Sequence, residues 1–297
     1  MYQFKRILLW AINRGLLNFC SDRIFLSIKY YVAIGSKLNL RKPDTFNEKL
    51  QWLKLYDKKP EYTMMVDKYA VRDYIAKTIG EEYLIPLIGV WDKFDDIDFS
   101  KLPNQFVLKC THDSGGVVIC KDKSQLDIDK VRKKIGKALK RDFFKVTREY
   151  PYKNVKRRII AEKYMTDGDN ELSDYKVHNF NGVPKIILVC RDRYKAAGMT
   201  EDFYSEKWEH LDVKRPSYSN AKDGIACPNE LEEILELSKA LSKDIPFVRT
   251  DFYIINHKVY FGEITFYPAS GFEEFSPAEW DYKLGSWIKL PTVKNGV

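Results

Sequence analysis

The stretch that most constrains the fold is residues 247–272, which read FVRTDFYIINHKVYFGEITFYPASGF. Two runs of β-branched and aromatic residues flank Asn256-His257-Lys258, a pattern typical of a β-hairpin with a short loop. If those three residues form the loop, Asp251 lies directly opposite Glu263 on the partner strand. The hairpin therefore predicts two carboxylates placed side by side.

Four polar side chains of this hairpin are expected on one face. Because side chains alternate along a strand, Arg249, Asp251, Glu263 and Thr265 project together. Opposed carboxylates lie about 5 Å apart and repel each other, so a fold tolerates them when a cation lies between, and such a pair suits Mg²⁺. The adjacent arginine could then hold a phosphate. The alternative is a solvated face with incidental charges, and a two-residue turn would put the two acids on opposite faces.

The composition indicates a soluble globular protein. The 297 residues allow one large domain or two to three smaller ones, and 44% hydrophobic with 31% charged residues is ordinary for that class. We identify no transmembrane span and no signal peptide. Five cysteines, odd in number and without CxxC spacing, indicate reduced thiols in a cytoplasmic protein: Cys20, Cys110, Cys120, Cys190 and Cys227.

The net charge of +8 is unevenly distributed. Residues 121–158 contain 15 Lys or Arg against 5 Asp or Glu. A basic face of this kind attracts nucleic acid, anionic lipid or an anionic polymer, and the alternative is a solvated helix surface. No RNP motif, zinc finger or recognition helix accompanies the charge, so nucleic acid is not an expected partner.

The first 40 residues predict two short basic, amphipathic helices, at Tyr2 to Leu17 and Asp22 to Ala33. Residues 1–34 could make a peripheral contact with a membrane surface. The alternative is a helical segment packed on the body of the protein. Farther along, Thr45 and Glu48 form a capping box that predicts the start of a helix.

Two lysines, Lys68 and Lys109, come before a loop that is a candidate anion site. Asp67 can cap a helix, and Lys68 in its first turn conflicts with the helix dipole. Residues 106–120, FVLKCTHDSGGVVIC, predict a strand, a glycine-containing loop and a second strand, with Lys109 at the end of the first. Glycines let backbone N–H groups approach an anion, but the order of a P-loop is absent. An ordinary hairpin turn is the alternative.

The remaining pattern is helices and hairpins in an α+β order. We predict a basic helix at 129–143, a buried strand at 159–161, a hairpin with strands at 175–180 and 185–190 around Asn181-Gly182, an irregular stretch at 195–226, and a helix that starts at Pro228-Asn229.

Taken in order, these pieces resemble the ATP-grasp ligases, in the branch linked to teichuronopeptide and capsular-polysaccharide biosynthesis. The strings that carry the resemblance are NLRKPDTFNEKLQWLKLYDKKP, VDKYAVRDYI, LPNQFVLKCTHDSGG, RRIIAEKYM, DYKVHNFNG and RTDFY with FGEITFYPASGF. The resemblance implies an ATP-grasp fold, in which two α+β subdomains with antiparallel sheets grip the nucleotide. It predicts an N-terminal helical segment over 1–60, a first subdomain over 61–158 and a second over 159–297.

The resemblance also implies ATP and Mg²⁺ as ligands and assigns residues to the nucleotide. Lys68 and Lys109 match the lysines that hold ATP phosphates, and Asp174 matches a ribose-binding acid. The predicted flap over the phosphates consists of Thr111, His112, Asp113, Ser114, Gly115 and Gly116. The predicted hinge along the adenine consists of Glu162, Lys163, Tyr164 and Met165.

For the phosphoryl end, the resemblance assigns Asp251 and Glu263 to Mg²⁺ and Arg249 to the transferred phosphoryl group, with Lys176 pointing toward the phosphates. Many ATP-grasp enzymes carry Asn where this chain has Thr265. A neutral hydroxyl is a weaker metal ligand, which leaves the role of Thr265 open.

The implied reaction is an ATP-dependent ligation of a carboxylate to an amine. We expect the carboxylate to belong to a uronic acid on a cell-surface glycan or a lipid-linked precursor, and the amine to be an amino acid or small amine. We expect the protein in the cytoplasm, where residues 1–34 could bring it to the inner face of the cell membrane. The alternatives are a glycosyltransferase that uses the Asp167-Gly168-Asp169 spacing, and a non-catalytic adaptor for anionic glycan or lipid.

Overall fold

Two antiparallel sheets organise the computed structural model, which describes residues 7–8, 10–12, 14–167, 172–192 and 198–292. The helices are α1 Asp22–Ile34, α2 Phe46–Tyr56, α3 Glu61–Val66, α4 Val71–Thr78, α5 Ile128–Lys140, α6 Phe143–Thr147, α7 Leu231–Leu241 and α8 Glu279–Trp287. The strands are β1 Leu87–Trp91, β2 Phe106–Cys110, β3 Val117–Cys120, β4 Ile159–Lys163, β5 Asp174–Phe180, β6 Val183–Arg191, β7 Thr200–Ser205, β8 Phe247–Ile255 and β9 Lys258–Thr265.

The first sheet has the strand order β1-β4-β2-β3. Along β2, Phe106, Leu108 and Cys110 are buried in the core beneath α5, as strand alternation requires. Lys109 lies on the opposite face of the strand. The core thus fixes the face on which Lys109 projects.

The second sheet has the order β7-β6-β5-β8-β9. Helix α7 packs against one face through a buried polar network in which the Ser238 hydroxyl lies 2.8 Å from Asn179 Oδ1 and 2.6 Å from the Thr250 hydroxyl. Buried polar groups with mutual partners fix the position of a helix. The other face of the sheet carries the charged side chains.

The turn of the β8–β9 hairpin differs from the prediction. It has two residues, Asn256 and His257, both at positive φ, instead of a three-residue loop. Such a turn alone would separate Asp251 and Glu263 onto opposite faces. A β-bulge at Gly262 adds one unpaired residue, and Asp251 is therefore paired with Glu263 as predicted.

Other parts of the sheets also differ from the sequence-based expectations. The irregular stretch predicted at 195–226 contains β7, which pairs with β6 from Ile186 to Arg191, and β1 was not predicted. The division into residues 1–60, 61–158 and 159–297 stays a prediction, although β4, which begins at residue 159, lies between β1 and β2 in the first sheet.

At the N-terminal side, α1 begins after the Ser21 cap, and the predicted capping box of Thr45 and Glu48 is confirmed at the start of α2. The first predicted helix, residues 2–17, lies partly outside the described residues. None of the described helices is long and apolar enough to cross a membrane. All five cysteines are free thiols.

Candidate active site

Two adjacent rows of side chains cross β5, β8 and β9 on the charged face of the second sheet. Strand register places Lys176 beside Asp251 and Asp251 beside Glu263 in the first row. In the next row, the register aligns His178, Arg249 and Thr265. The structure thus brings together the four residues that the hairpin pattern predicted, and adds Lys176 from a third strand.

Asp251 is the centre of this cluster. Its Oδ2 lies 2.5 Å from Lys176 Nζ, and Arg249 donates to both carboxylate oxygens at 2.7 and 2.8 Å. Burial alone would raise the pKa of Asp251, but Arg249 and then Lys176 outweigh it and lower the pKa to about 2. Asp251 is therefore ionised at neutral pH.

Lys176 and Arg249 remain charged because the carboxylate of Asp251 stabilises their protonated forms. Burial opposes protonation of Lys176 and Arg249, but the carboxylate of Asp251 outweighs it and raises the pKa of each. Lys176 Nζ also lies 3.5 Å from Asp174 Oδ2. Both cations are therefore charged at neutral pH, and each is paired with the carboxylate of Asp251.

The two carboxylates differ in accessibility. The side chain of Asp251 is 2% exposed and that of Glu263 is 44% exposed. Glu263 Oε1 lies 3.2 Å from Arg249 Nη2 and 3.4 Å from the Thr265 hydroxyl. Its Oε2 has no hydrogen-bond partner among the described residues. Glu263 thus offers an open carboxylate oxygen beside a buried one.

A second charged cluster lies on the first sheet. Lys109 Nζ lies 2.6 Å from Glu162 Oε2, and Arg72 Nη1 lies 3.5 Å from Glu162 Oε1. Lys109 and Glu162 come from the neighbouring strands β2 and β4. The structure therefore joins the predicted phosphate lysine to the first residue of the predicted hinge. Sequence reasoning missed Arg72, whose position on α4 gave no charge pattern to single it out.

The rest of the hinge follows Glu162. Lys163 ends β4, its side chain is exposed, and its N–H donates to the Pro86 carbonyl at 2.9 Å. Tyr164 and Met165 follow as half-buried residues outside the strand. Contact of these residues with an adenine stays a prediction.

Lys68 is held against the predicted flap. Its ammonium donates to the Asp113 carbonyl at 2.8 Å, and its N–H donates to the Thr111 carbonyl at 3.2 Å. Within the flap the side chains of Thr111, His112 and Asp113 are buried, whereas Ser114 and Gly115 are exposed and Gly116 is buried. Only the tip of the loop is therefore open to solvent.

Tyr152 lies in the electrostatic field of both the flap and the β8–β9 hairpin, and sequence reasoning missed it. Burial raises the pKa of Tyr152 well above its usual value, and Glu149, Glu263 and Asp113 raise it further while Arg249 opposes them. Tyr152 is half-buried, and its ring packs against Phe143 at 4.6 Å between ring centres. No local pattern marks this tyrosine, because it lies in a short 3-10 turn.

A family model described as TupA-like ATP-grasp matches residues 48–289 of the chain. The chain belongs to the TupA-like ATP-grasp family. This confirms the ATP-grasp fold predicted from the sequence motifs. No curated protein matches the chain.

Several solved structures are similar to this ATP-grasp protein. D-alanine–D-alanine ligase from Bacillus anthracis, complexed with ATP, has 19% identity and a TM-score of 0.45, with 76% of this chain and 65% of that chain covered. The ligase from Helicobacter pylori has 19% identity and a TM-score of 0.40, with 82% and 69% covered. ATP-grasp ligase PsnB, complexed with minimal precursor, Mg and ADP, has 9% identity and a TM-score of 0.40, with 82% and 62% covered. The chain thus spans somewhat less than two thirds of the first ligase.

Proposed function

We propose that this ATP-grasp protein ligates a carboxylate to an amine at the expense of ATP. The observation that carries the proposal is the convergence of Lys176 and Arg249 on Asp251, directly beside Glu263, on one sheet face. Phosphoryl transfer depends mainly on positioned positive charge. This cluster supplies that charge where the family match leads us to expect the phosphates.

Lys176 and Arg249 would hold the transferred phosphoryl group. Arg249 donates through Nε and Nη2, and its Nη1 has no partner among the described residues, so two N–H bonds are open to a phosphoryl oxygen. Guanidinium groups bind phosphate oxygens in this way. Lys109 and Lys68 would hold the remaining phosphates from the first sheet and the flap.

The residues present fit a magnesium ion. Asp251 is ionised, and the free Oε2 of the half-exposed Glu263 is the type of hard oxygen ligand that Mg²⁺ takes. Among the described residues no group of three His, Cys, Asp or Glu side chains forms a metal site, so the protein offers two carboxylates, with Thr265 as a neutral neighbour. A bound ion would neutralise phosphate charge and compensate Asp251 when its cations turn to the phosphates.

The proposed reaction has two steps. A carboxylate oxygen of the acceptor attacks the γ-phosphorus, the bond to the bridging oxygen breaks, and ADP leaves. The amine then attacks the acyl carbon, loses a proton, and inorganic phosphate leaves with the oxygen that came from the carboxylate. Lys176 and Arg249 would stabilise the charge on the phosphoryl oxygens in the first step.

We propose a uronic acid of a cell-surface glycan as the carboxylate and an amino acid or small amine as the nucleophile. The exposed face of α5 supports an anionic acceptor, since Lys133, Lys134, Lys137 and Lys140 are all exposed there. A basic face raises the local concentration of a polyanion.

Isotope transfer tests the reaction directly. The purified protein is incubated with ATP, Mg²⁺, glucuronate carrying ¹⁸O in the carboxylate, and a mixture of amino acids. Ligation predicts ADP, an amide detected by mass spectrometry, and one ¹⁸O per phosphate released. Release of UDP from a nucleotide sugar would instead identify a glycosyltransferase, and glycan binding without turnover would identify an adaptor.

Substitutions test which acidic residue the reaction depends on. Glu263→Gln is expected to abolish ADP release while the circular dichroism spectrum stays unchanged, and Glu206→Gln, an exposed acid in the turn after β7, is the matched control. ATP binding is measured separately by calorimetry without acceptor. ATP binding without amide formation from any uronate would reject the proposed substrates, whereas no ATP binding would reject the ligase proposal itself.

A further inference from the structure

Exposed apolar side chains are concentrated near the N-terminus. Within the described ranges nine large hydrophobic residues are exposed, and five of them fall between residues 7 and 24, among them Phe19 at 85% and Trp10 at 55%. Isolated exposed hydrophobics are normal, but several within one short segment indicate an interaction site. We call this set the N-terminal apolar surface: Ile7, Trp10, Leu16, Phe19 and Ile24.

The same segment has a side that faces the body of the protein. Ile12, Phe25 and Leu26 are buried in one cluster, and Leu17 and Cys20 pack against it. These positions alternate with the exposed ones along residues 7–26. The segment is therefore amphipathic, with its apolar content divided between a packed side and an outward side.

The attachment to the body is specific. The Arg148 guanidinium lies 4.4 Å from the centre of the Phe25 ring and donates to the Asn18 carbonyl at 3.1 Å. Tyr30 contacts Phe272 at 6.4 Å between ring centres. Phe272 lies shortly after the β8–β9 hairpin in the chain, so the N-terminal apolar surface is fixed to the part of the protein that carries the candidate site.

The charge around the surface is almost entirely positive. Residues 7–43 contain six Lys or Arg and one acid, Asp22. Asp22 is paired with Arg148 at 3.6 Å and with Lys58 at 4.0 Å. Arg14 and Arg23 are exposed, and the Arg14 guanidinium lies 5.5 Å from the centre of the Trp10 ring. The outward side thus combines apolar groups with uncompensated positive charge.

We propose that the N-terminal apolar surface docks on the surface of an anionic lipid bilayer. Apolar side chains beside basic ones match the acyl and headgroup layers of such a membrane, and each basic group near an anionic leaflet contributes favourably. A second copy of the chain would bring two basic surfaces together. This inference does not depend on the proposed ligase activity.

Vesicle sedimentation tests the proposal with the full chain. Binding is compared between vesicles of phosphatidylcholine alone and vesicles with 30% phosphatidylglycerol, at low and high salt. We expect binding to the anionic vesicles only, weakened by salt because exposed charges are screened. The emission of Trp10 should shift to shorter wavelength on binding, and Trp10→Ser should remove most of that shift.

Three variants separate the apolar contribution to vesicle binding from the electrostatic one. Phe19→Ser should lower the partition coefficient at least tenfold, and Arg14→Gln with Arg23→Gln should lower it about 30-fold, from about 1 kcal/mol per charge. Tyr282→Ser removes an aromatic group outside the surface that is 61% exposed, comparable to Trp10, and should leave the partition coefficient unchanged. Unchanged thermal unfolding of each variant excludes misfolding as the cause.

Two results would overturn the proposal. One is equal recovery of the wild-type protein and the Phe19→Ser variant from anionic vesicles. The other is a concentration-dependent dimer in light scattering that Phe19→Ser dissociates, which would assign the surface to a second copy of the chain.

Discussion

Replacing Asp251 with Asn tests the electrostatic organisation of the candidate site. The carboxylate of Asp251 is buried and receives hydrogen bonds from Lys176 and from two nitrogens of Arg249. The amide keeps the shape of the side chain but removes its charge. Two largely buried cations would then lose their main partner, which is a strongly destabilising change.

The magnitude follows from the contacts that remain. Lys176 keeps Asp174 at 3.5 Å, and Arg249 keeps Glu263 at 3.2 Å. Removal of one partner from a buried ion pair costs about 3–5 kcal/mol, and we expect the lower end, about 3 kcal/mol, because each cation retains a weaker partner. A part of this loss depends on pH.

The pH dependence has a definite sign. The folded pKa of Asp251, about 2, lies below the ordinary value of 3.8. The corresponding stabilisation of about 2 kcal/mol is present above pH 4 and is lost as the pH falls toward 2. The difference in unfolding free energy between the wild-type protein and the Asp251→Asn variant should therefore narrow by about 1 kcal/mol between pH 7 and pH 3.

Urea unfolding followed by circular dichroism measures both quantities, provided that the transition slope is unchanged. Glu206→Gln, at an exposed acid, should stay within about 0.5 kcal/mol of the wild-type protein. A cost below 1 kcal/mol for Asp251→Asn at pH 7, or a difference that is constant with pH, would refute the reasoning.

Three further predictions follow from other contacts. A methyl group at Gly262 would lie 3.0 Å from the Asp251 carbonyl oxygen, whereas one at Gly136 in α5 meets nothing within 4 Å. Calorimetry should show Gly262→Ala destabilised by about 1–3 kcal/mol and Gly136→Ala stabilised by about 0.5–1 kcal/mol. A Gly262→Ala variant more stable than Gly136→Ala would contradict the bulge. Lys54 and Glu149 are both buried; burial lowers the pKa of Lys54 to about 7, and the charge of Glu149 opposes that shift. In urea, Lys54→Met should cost about 3 kcal/mol because Glu149 stays buried, and adding Glu149→Gln should recover most of that loss. Additive losses from the two changes would exclude an interaction between these residues. Lys109→Met should weaken ATP binding about 10- to 100-fold in calorimetry, because this factor corresponds to the free energy of one hydrogen bond to a charged group. An unchanged affinity would exclude Lys109 from the phosphate site.

Local sequence patterns determined the elements on which the site is built. Alternation in β8 and β9 placed Arg249 and Asp251 on one face, and Asn181-Gly182 marked the turn between β5 and β6, where both residues have positive φ. These features depend on neighbours along the chain, so the residues themselves encode them. The sequence strings that resemble those of ATP-grasp ligases predicted the ATP-grasp fold, which the family match confirms.

The position of β4 and the pairing of Lys109 with Glu162 were decided by tertiary structure. Glu162 is 53 residues from Lys109 along the chain, and only the insertion of β4 between β1 and β2 brings them to 2.6 Å. Pairing at that separation depends on which strands share a core, a property of the whole chain rather than of a local window.

The β8–β9 hairpin shows the same division between sequence and tertiary structure within one element. The sequence predicted that Asp251 faces Glu263, but it predicted this through a three-residue loop that does not exist. The structure obtains the pairing from a two-residue turn and a bulge at Gly262. Because one inserted residue reverses the face of every later side chain on a strand, the two carboxylates meet only through the backbone geometry of the assembled sheet.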